Sequence, residues 1–294
     1  MVVRSDEVYF PMSNFKKPVE LFHLGPPKTA TTWVYRALCE NPQIVTSAED
    51  RIHYFDLHYS KGEDWYDLQF THNAKGEDEN KIRFDPTYSY ICSPYALERI
   101  AGYNPDAKLI FGLRNPIDRA FSHYWHIKKQ GIGANFSFGD ILVHYNSYAT
   151  WMEHGLLSKP VKYMLENFPR ENIKPLMMEE MEGRGEDTYR DICAFAGIEA
   201  GTTPGVVNRK INVAGPKKTK ASYMKNRFGK LLFGRETMEG NTSGNRVQNL
   251  FSGKQEYRSG IDPELREELR AYVIEDIENL EKLLDIDLSA WKSA

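Results

Sequence analysis

The chain has 294 residues, a formal net charge of −3 from 38 basic and 41 acidic side chains, and 41% hydrophobic residues. This composition is typical of a globular protein and excludes a disordered or fibrous chain. No apolar run approaches the roughly 18 residues of a membrane span, and the first residues lack the basic and apolar regions of a secretory signal. The three cysteines are far apart in sequence, which argues against a disulfide framework and favours a cytoplasmic location.

The first predicted unit is a strand, a loop and a helix. Residues 20–24 form a short, mostly apolar strand that leads into Gly25-Pro-Pro-Lys-Thr-Ala-Thr-Thr32. The apolar spacing from Trp33 to Leu38 predicts a helix, which Asn41-Pro42 ends. Backbone N–H groups at a helix start, together with the helix dipole, favour an anion. This unit therefore predicts a phosphate-binding loop.

The side chains of the loop define what kind of phosphate loop it is. Lys28 adds a positive charge, and Thr29, Thr31 and Thr32 add hydroxyl donors. The loop is not the ATP-binding GxxxxGK[ST] motif, because Lys28 precedes the turn. Ala30 stands where a glycine is expected, and its methyl group costs little in a helical backbone but strains a turn with positive φ. The alternative interpretation is a helix start that is capped by threonine.

A second strand and helix repeat this arrangement. Residues 108–113 are mostly apolar, which predicts a strand buried in a parallel sheet. Arg114 follows at the end of the strand, where its guanidinium can contact a phosphate in bidentate fashion. Ser122, about two helical turns later, can donate from the same side. A basic helix cap is the alternative.

The remaining elements complete an α/β pattern. Residues 173–178 predict a third strand and residues 187–195 a helix, while Asp262 opens a long C-terminal helix with leucines at helical spacing. Strands that alternate with helices predict an α/β fold in which a central parallel sheet is flanked by helices.

We expect a single domain over residues 1–294, with an N-terminal extension at 1–19 and a mobile loop at 236–260. Charge is unevenly distributed within it, because residues 200–235 contain nine Lys or Arg and no Asp or Glu. This local cluster favours an anionic ligand at one place, with a solvated loop as the alternative. Aromatic residues do not interleave with these charges, so no nucleic-acid partner is predicted.

Two of these segments resemble the nucleotide-binding motifs of one enzyme family. Pro27-Lys-Thr-Ala-Thr-Thr-Trp33 is similar to the PK[ST]GTTW loop that binds the 5′-phosphosulfate in sulfotransferases, with Ala30 in place of the usual glycine. The segment from Arg114 to Ser122 is similar to the 3′-phosphate motif of that family. The resemblance implies a P-loop-like fold and a sulfotransferase that uses 3′-phosphoadenosine 5′-phosphosulfate (PAPS) as its sulfate donor. No metal is implied, since sulfuryl transfer needs none and the sequence shows no ligand cluster.

The resemblance also implies which residues bind the donor. These are Lys28, Thr29, Ala30, Thr31, Thr32, Trp33, Arg114, Ser122 and one of the two lysines Lys217 and Lys218. The two lysines belong to residues 212–218, which resemble a late loop that closes over the 3′-phosphate and adenine. By analogy Trp33 stacks on the adenine, and core packing is its alternative. Lys28 is expected to neutralise charge on the leaving phosphate.

Further segments resemble the carbohydrate branch of the family, the heparan sulfate sulfotransferases, and bacterial members. Residues 48–56 and 58–66 are similar to the Glu-x-[His/Gln]-Phe-Phe segment and the following Tyr-x-x-Gly-x-x-Trp-Tyr element. Residues 84–93 are similar to the acceptor-side strand and loop, and residues 275–291 to the tail of many bacterial sulfotransferases. The resemblance covers about residues 21–291 and implies a small-molecule or glycan acceptor with a reacting hydroxyl or amine.

The general base is the open part of this prediction. In the heparan-type enzymes it is the Glu two residues before the [His/Gln], and here that position holds Arg51, which cannot act as a base. An imidazole suits a base near neutrality, although either candidate histidine can instead be structural. The catalytic candidates, in order, are His53, Glu49 and His126, with Asp50 and Asp85 also open.

The leading prediction is in-line transfer of a sulfuryl group from PAPS to the acceptor. A P-loop-like kinase is an alternative that requires Mg²⁺-ATP, and the position of Lys28 argues against it. A non-catalytic nucleotide-binding module is another alternative, because Arg51 stands where a base belongs. Such a module binds PAPS without turnover.

Overall fold

A parallel sheet lies at the centre of the described chain. The computed structural model describes residues 17–47, 51–71, 80–129, 137–144, 149–208 and 260–293. Within these ranges the strands are β1 (Leu21–His23), β2 (Ile44–Thr46), β3 (Ile82–Asp85), β4 (Lys108–Leu113) and β5 (Ile173–Met177). Their order is β2-β3-β1-β4-β5, and every neighbouring pair is parallel. The loops that follow β1, β3 and β4 therefore meet at one edge of the sheet, where ligands bind in such folds.

Helices pack on the sheet and connect its strands. In chain order they are α1 (Thr31–Cys39), α2 (Glu63–Thr71), α3 (Pro94–Tyr103), α4 (Pro116–Lys129), α5 (Ser158–Asn167), α6 (Met178–Met181), α7 (Gly185–Ala196), α8 (Pro263–Leu284) and α9 (Ser289–Ser293). Single 3₁₀ turns lie at Tyr59–Lys61, Tyr90–Cys92, Phe138–Leu142, Glu153–Gly155 and Arg170–Asn172. None of the helices in the described ranges combines the length and apolar character that a bilayer crossing requires.

The two faces of the sheet bury separate apolar clusters. Successive strand side chains point to opposite faces, so Leu21 and Ile110 pack in one cluster while Phe22, Leu109 and Phe111 pack in the other. The smaller cluster includes α1 and α7, and the larger one includes α3, α4 and α8. The buried stripe of α8 consists of Leu269, Val273, Ile277, Leu280 and Leu284.

The predicted fold class is confirmed, because a parallel sheet flanked by helices carries the core. The strands predicted at 20–24, 108–113 and 173–178 lie within one residue of β1, β4 and β5. Strand β2 is an element that the sequence analysis does not predict. The predicted mobile loop lies almost wholly outside the described residues, as does most of the N-terminal extension.

Candidate active site

The loop after β1 has a left-handed backbone at three of its residues. Gly25 has φ +97°, and a Cβ added there would lie 1.6 Å from the carbonyl oxygen of Tyr88, so only glycine fits. Lys28 has φ 78° and Ala30 has φ 59°. Of the two backbone conformations considered for Ala30, the structure shows the turn with positive φ. This conformation favours glycine, so it is strained for alanine. Strain of this kind is concentrated at functional sites.

Thr29 holds the loop together from within. Its side chain is 2% exposed, and its hydroxyl donates to the carbonyl oxygen of Pro26 at 2.7 Å. A Cβ added to Gly112 of β4 would lie 2.1 Å from this hydroxyl. The hydroxyl hydrogen thus serves the loop in this structure, and the role of Thr29 in binding the donor stays a prediction.

Helix α1 begins at Thr31 without a side-chain cap. Ala30 is the cap residue, and its side chain accepts no hydrogen bond, so the threonine-capped alternative is wrong. Thr31 and Thr32 open the helix and are half-buried. The positive end of the helix dipole therefore lies next to Lys28, an arrangement that favours a bound anion.

Trp33 belongs to the core. It is 8% exposed and packs in the smaller cluster, and its indole N–H donates to the carbonyl oxygen of Val207 at 3.2 Å. These contacts show the core packing of Trp33, and its stacking on adenine stays a prediction. Sequence alone left the choice open because both roles place an aromatic ring at this position.

The two phosphate motifs meet in space. β1 and β4 are neighbours in the sheet, and the N–H of Gly112 donates to the carbonyl oxygen of Gly25 at 2.7 Å. At the end of β4, the guanidinium of Arg114 donates to the carbonyl oxygen of Lys28 at 3.1 Å. Ser122 lies two turns into α4 and is half-buried. The loop after β1 and the end of β4 are thus in direct contact.

Five basic side chains form a group, defined here as the basic cluster: Lys28, Arg119, His123, His126 and His154, of which Arg119 and His123 are buried. Arg119 is 1% exposed, and its guanidinium donates to the carbonyl oxygens of Pro27, at 3.1 Å, and of Trp151. Burial lowers its pKa to about 10, so it stays protonated. Burial, followed by the other four members of the cluster, lowers the pKa of His123 to about 3. The sequence analysis did not select Arg119 or His123, whose burial no local motif indicates.

A histidine and a carboxylate lie together beside the loop that follows β3. His53 Nδ1 lies 3.1 Å from Oδ2 of Asp56, and the Ser89 hydroxyl donates to the same oxygen at 2.7 Å. Burial raises the pKa of Asp56, but the hydrogen bonds from His53 and Ser89 outweigh it and hold that pKa below its usual range. Asp56 is thus an ionised acceptor.

This arrangement defines the tautomer of His53. Because Asp56 is acceptor-only, Nδ1 of a neutral His53 carries the proton and Nε2 keeps its lone pair. A base oriented by a carboxylate on its other nitrogen is the arrangement that activates hydroxyl nucleophiles. The sequence analysis selected His53 but not Asp56, although the three-residue spacing between them was visible.

The other predicted base residues lie elsewhere. Asp85 is fully buried and receives the Tyr66 hydroxyl at 2.8 Å, so it cannot touch an acceptor and is wrong as a base. His126 is exposed on α4. Arg51 is also exposed, and it donates to the Tyr88 hydroxyl at 3.1 Å. The predicted residues Glu49, Asp50, Lys217 and Lys218 lie outside the described residues.

Comparisons with known proteins agree with this geometry. A family model described as "Sulfotransferase domain" matches residues 18–281. A solved structure of a sulfotransferase from Alicyclobacillus acidocaldarius superposes with a TM-score of 0.66 at 25% identity, covering 95% of this chain and 100% of that one.

Two curated relatives match shorter stretches. The membrane-associated sulfotransferase kil1 of Dictyostelium discoideum is 32% identical over 114 residues, which are 39% of this chain. The bifunctional heparan sulfate N-deacetylase/N-sulfotransferase 1 of Mus musculus is 31% identical over 131 residues, which are 42% of this chain. The chain spans only 24% and 15% of the lengths of these two relatives.

Proposed function

The chain belongs to the sulfotransferase domain family, which matches residues 18–281, and on that premise we propose that it transfers a sulfuryl group from PAPS to a hydroxyl or amine. The acceptor is a small molecule or a carbohydrate. The observation that carries the proposal is the contact between the two phosphate motifs, in which Arg114 donates to the carbonyl oxygen of Lys28 at 3.1 Å. Two anion-binding elements that meet in this way suit a nucleotide with phosphates at both its 3′ and 5′ positions.

The residues present fit such a donor. The N-terminus of α1 is not capped by a side chain of its cap residue, and within the described part of the chain buried Arg119 is recorded against carbonyl oxygens and no carboxylate. A buried cation that lacks an acidic partner is costly unless an anion balances it. The phosphates of a bound donor provide that balance, and Lys28, Arg114, Ser122 and the backbone of residues 29–32 are the groups that hold them.

The reacting groups lie on the two sides of the site. When bound, PAPS supplies the sulfuryl group and a phosphate leaving group. Nε2 of His53 takes the proton of the acceptor as the acceptor oxygen bonds to sulfur, while Asp56 stabilises the resulting imidazolium. The electron pair of the broken sulfur–oxygen bond stays on the phosphate, and Lys28 balances that charge.

Arg51 favours a second candidate, a non-catalytic nucleotide-binding module. It occupies the position where heparan-type enzymes carry their base, and it is exposed beside Tyr88. The pair of His53 and Asp56 supports the catalytic proposal instead, since it provides a base two residues along the chain.

The remaining proposals concern organisation and location. One sheet with its two apolar clusters supports a single domain for residues 1–294. The cysteines Cys39, Cys92 and Cys193 are all free thiols, which supports a reducing compartment such as the cytoplasm.

Calorimetric titration and a transfer assay test the function. We expect the desulfonated nucleotide to bind with a dissociation constant on the order of micromolar, and Mg²⁺-ATP to bind far more weakly. Labelled PAPS is then incubated with a panel of oligosaccharides, phenols and alkyl alcohols or amines. Transfer to any member supports the enzyme; binding without transfer supports the module. Absence of nucleotide binding overturns both.

A further inference from the structure

A buried carboxylate lies beneath the His53 segment, at the end of β3. Asp85 is 0% exposed. One of its oxygens accepts the N–H of Thr87 at 2.9 Å and the Thr87 hydroxyl at 2.6 Å. The other accepts the hydroxyls of Tyr66 at 2.8 Å and Tyr90 at 3.0 Å. An ionised carboxylate offers about four lone-pair positions, and all of them are used here.

The charge on Asp85 fixes the direction of two hydroxyl protons. Because Asp85 only accepts, the protons of Thr87 and Tyr90 point towards it, and their oxygen lone pairs point away. The Thr87 oxygen accepts the backbone N–H groups of residues 52 and 53 at 2.9 and 3.3 Å. The Tyr90 oxygen accepts those of residues 54 and 55 at 3.0 and 3.4 Å. Four consecutive backbone donors are thus held by two hydroxyls that one carboxylate orients.

The segment held in this way needs such support. His53 has φ 53°, a left-handed conformation that is strained for a non-glycine residue. Conformations of this kind persist only where surrounding contacts over-determine them. The same conformation carries the imidazole whose Nδ1 lies 3.1 Å from Asp56.

We propose that Asp85 is a positioning residue for His53, acting through Thr87 and Tyr90 on the backbone of residues 52–55. Burial raises the pKa of Asp85, and the bonds from Thr87, Tyr66 and Tyr90 oppose that shift. Without the charge on Asp85, the hydroxyl of Thr87 or Tyr90 can turn its proton towards a backbone N–H of residues 52–55. The hydrogen bond between them is then lost, and the two protons repel each other. The segment then releases His53 from Asp56. The catalytic consequence rests on the proposed function, whereas the placement of His53 does not.

Four variants of the full chain test this inference. Asp85→Asn removes the charge at constant shape, Thr87→Val removes one oriented oxygen, and Thr87→Ser restores it. Tyr189→Phe is the matched control for a buried tyrosine, because it is 1% exposed in the smaller cluster and its hydroxyl accepts the side-chain N–H of Asn41 at 3.0 Å. Circular dichroism checks that each variant is folded.

Two measurements are read together. Nitrogen NMR of labelled histidine is expected to show a single His53 tautomer, protonated on Nδ1, in the wild type, Thr87→Ser and Tyr189→Phe, and a mixture in Thr87→Val and Asp85→Asn. In the same two variants kcat is expected to fall about tenfold or more, with affinity for the desulfonated nucleotide changed less than about twofold.

The outcomes separate the two proposals. If Asp85→Asn does not fold, Thr87→Val, which changes no charge, tests the positioning role in its place. A folded Thr87→Val protein with the wild-type His53 signals overturns the positioning role. A wild type without turnover on any acceptor counts against the proposed function alone, since the NMR comparison still stands.

Discussion

The donor side and the acceptor side of the site are built on opposite principles. The donor side, around Lys28 and Arg114, consists mainly of backbone groups and positively charged side chains. These residues follow directly after two neighbouring strands. On the acceptor side, His53, Asp56 and Ser89 come from two segments and rest on a buried carboxylate, Asp85. Under the proposed function, the first side binds the anionic donor and the second takes the proton of the acceptor.

The two sides also treat histidine differently. His123 lies among cations, and burial together with these charges lowers its pKa to about 3. His53 instead faces the ionised Asp56 at 3.1 Å. A residue type therefore says little about its role until its charged neighbours are known.

The largest expected effect tests the donor side. Lys28→Ala is expected to lower kcat by about 10²–10³, because the charge on the leaving phosphate loses its counter-ion. Steady-state kinetics with labelled PAPS measure the change, and Lys162→Ala, an exposed lysine on α5, is the control. Full activity in Lys28→Ala removes this residue from the mechanism.

The next effect tests the acceptor side. Asp56→Asn is expected to lower kcat by about 10²-fold, since the amide no longer holds Nδ1 of His53 protonated. Affinity for the desulfonated nucleotide stays unchanged in calorimetry, which separates this side from the donor side. Asp106→Asn, at an exposed carboxyl, controls for lost charge. Wild-type kcat in Asp56→Asn contradicts the orienting role.

A smaller effect sharpens the contrast between the histidines. The pKa of His123 is lowered from 6.5 to about 3, so below pH 6.5 the unfolded chain binds a proton that the folded chain excludes. The stability associated with this neutral imidazole is complete above the unfolded pKa and is lost as the pH falls from about 6.5 towards 3.

Urea unfolding at several pH values between about 5 and 7 measures this loss, with a slope near 1.4 kcal/mol per pH unit for each such histidine. His123→Gln is expected to lower this slope by the contribution of one histidine. His23→Gln is expected to lower it by that of another, because burial lowers the pKa of His23 to about 4. His144→Gln, at an exposed residue, controls for loss of an imidazole. A slope unchanged by His123→Gln means that this side chain is charged in the folded protein.

The smallest effect concerns the strain in the phosphate loop. Ala30→Gly is expected to raise the free energy of unfolding by about 0.5–1 kcal/mol, since φ 59° costs alanine more than glycine. The same substitution within α1, Ala37→Gly, is expected to lower it by about 1 kcal/mol. Urea unfolding of both variants gives the two signs, and a loss of stability in Ala30→Gly shows that the loop does not strain this residue.

The sequence determined the sheet strands that carry the donor motifs, and with them Lys28, Arg114 and Ser122. These residues follow apolar strands at fixed short distances, so local patterns suffice to find them. The sequence alone did not determine the backbone conformation of Ala30 or the role of Trp33. The backbone angle and the burial of a side chain both depend on neighbours from other segments.

Only the tertiary structure decided the acceptor side. It brought Ser89 to Asp56, buried Asp85 under the His53 segment and placed Arg119 beneath the phosphate loop. These contacts join residues that are 33 to 92 positions apart in sequence, apart from the two-residue step between Asp85 and Thr87. The energies of these contacts come from burial and charge, which depend on distances between atoms in the folded chain. Such contacts produce no periodic residue pattern in the sequence.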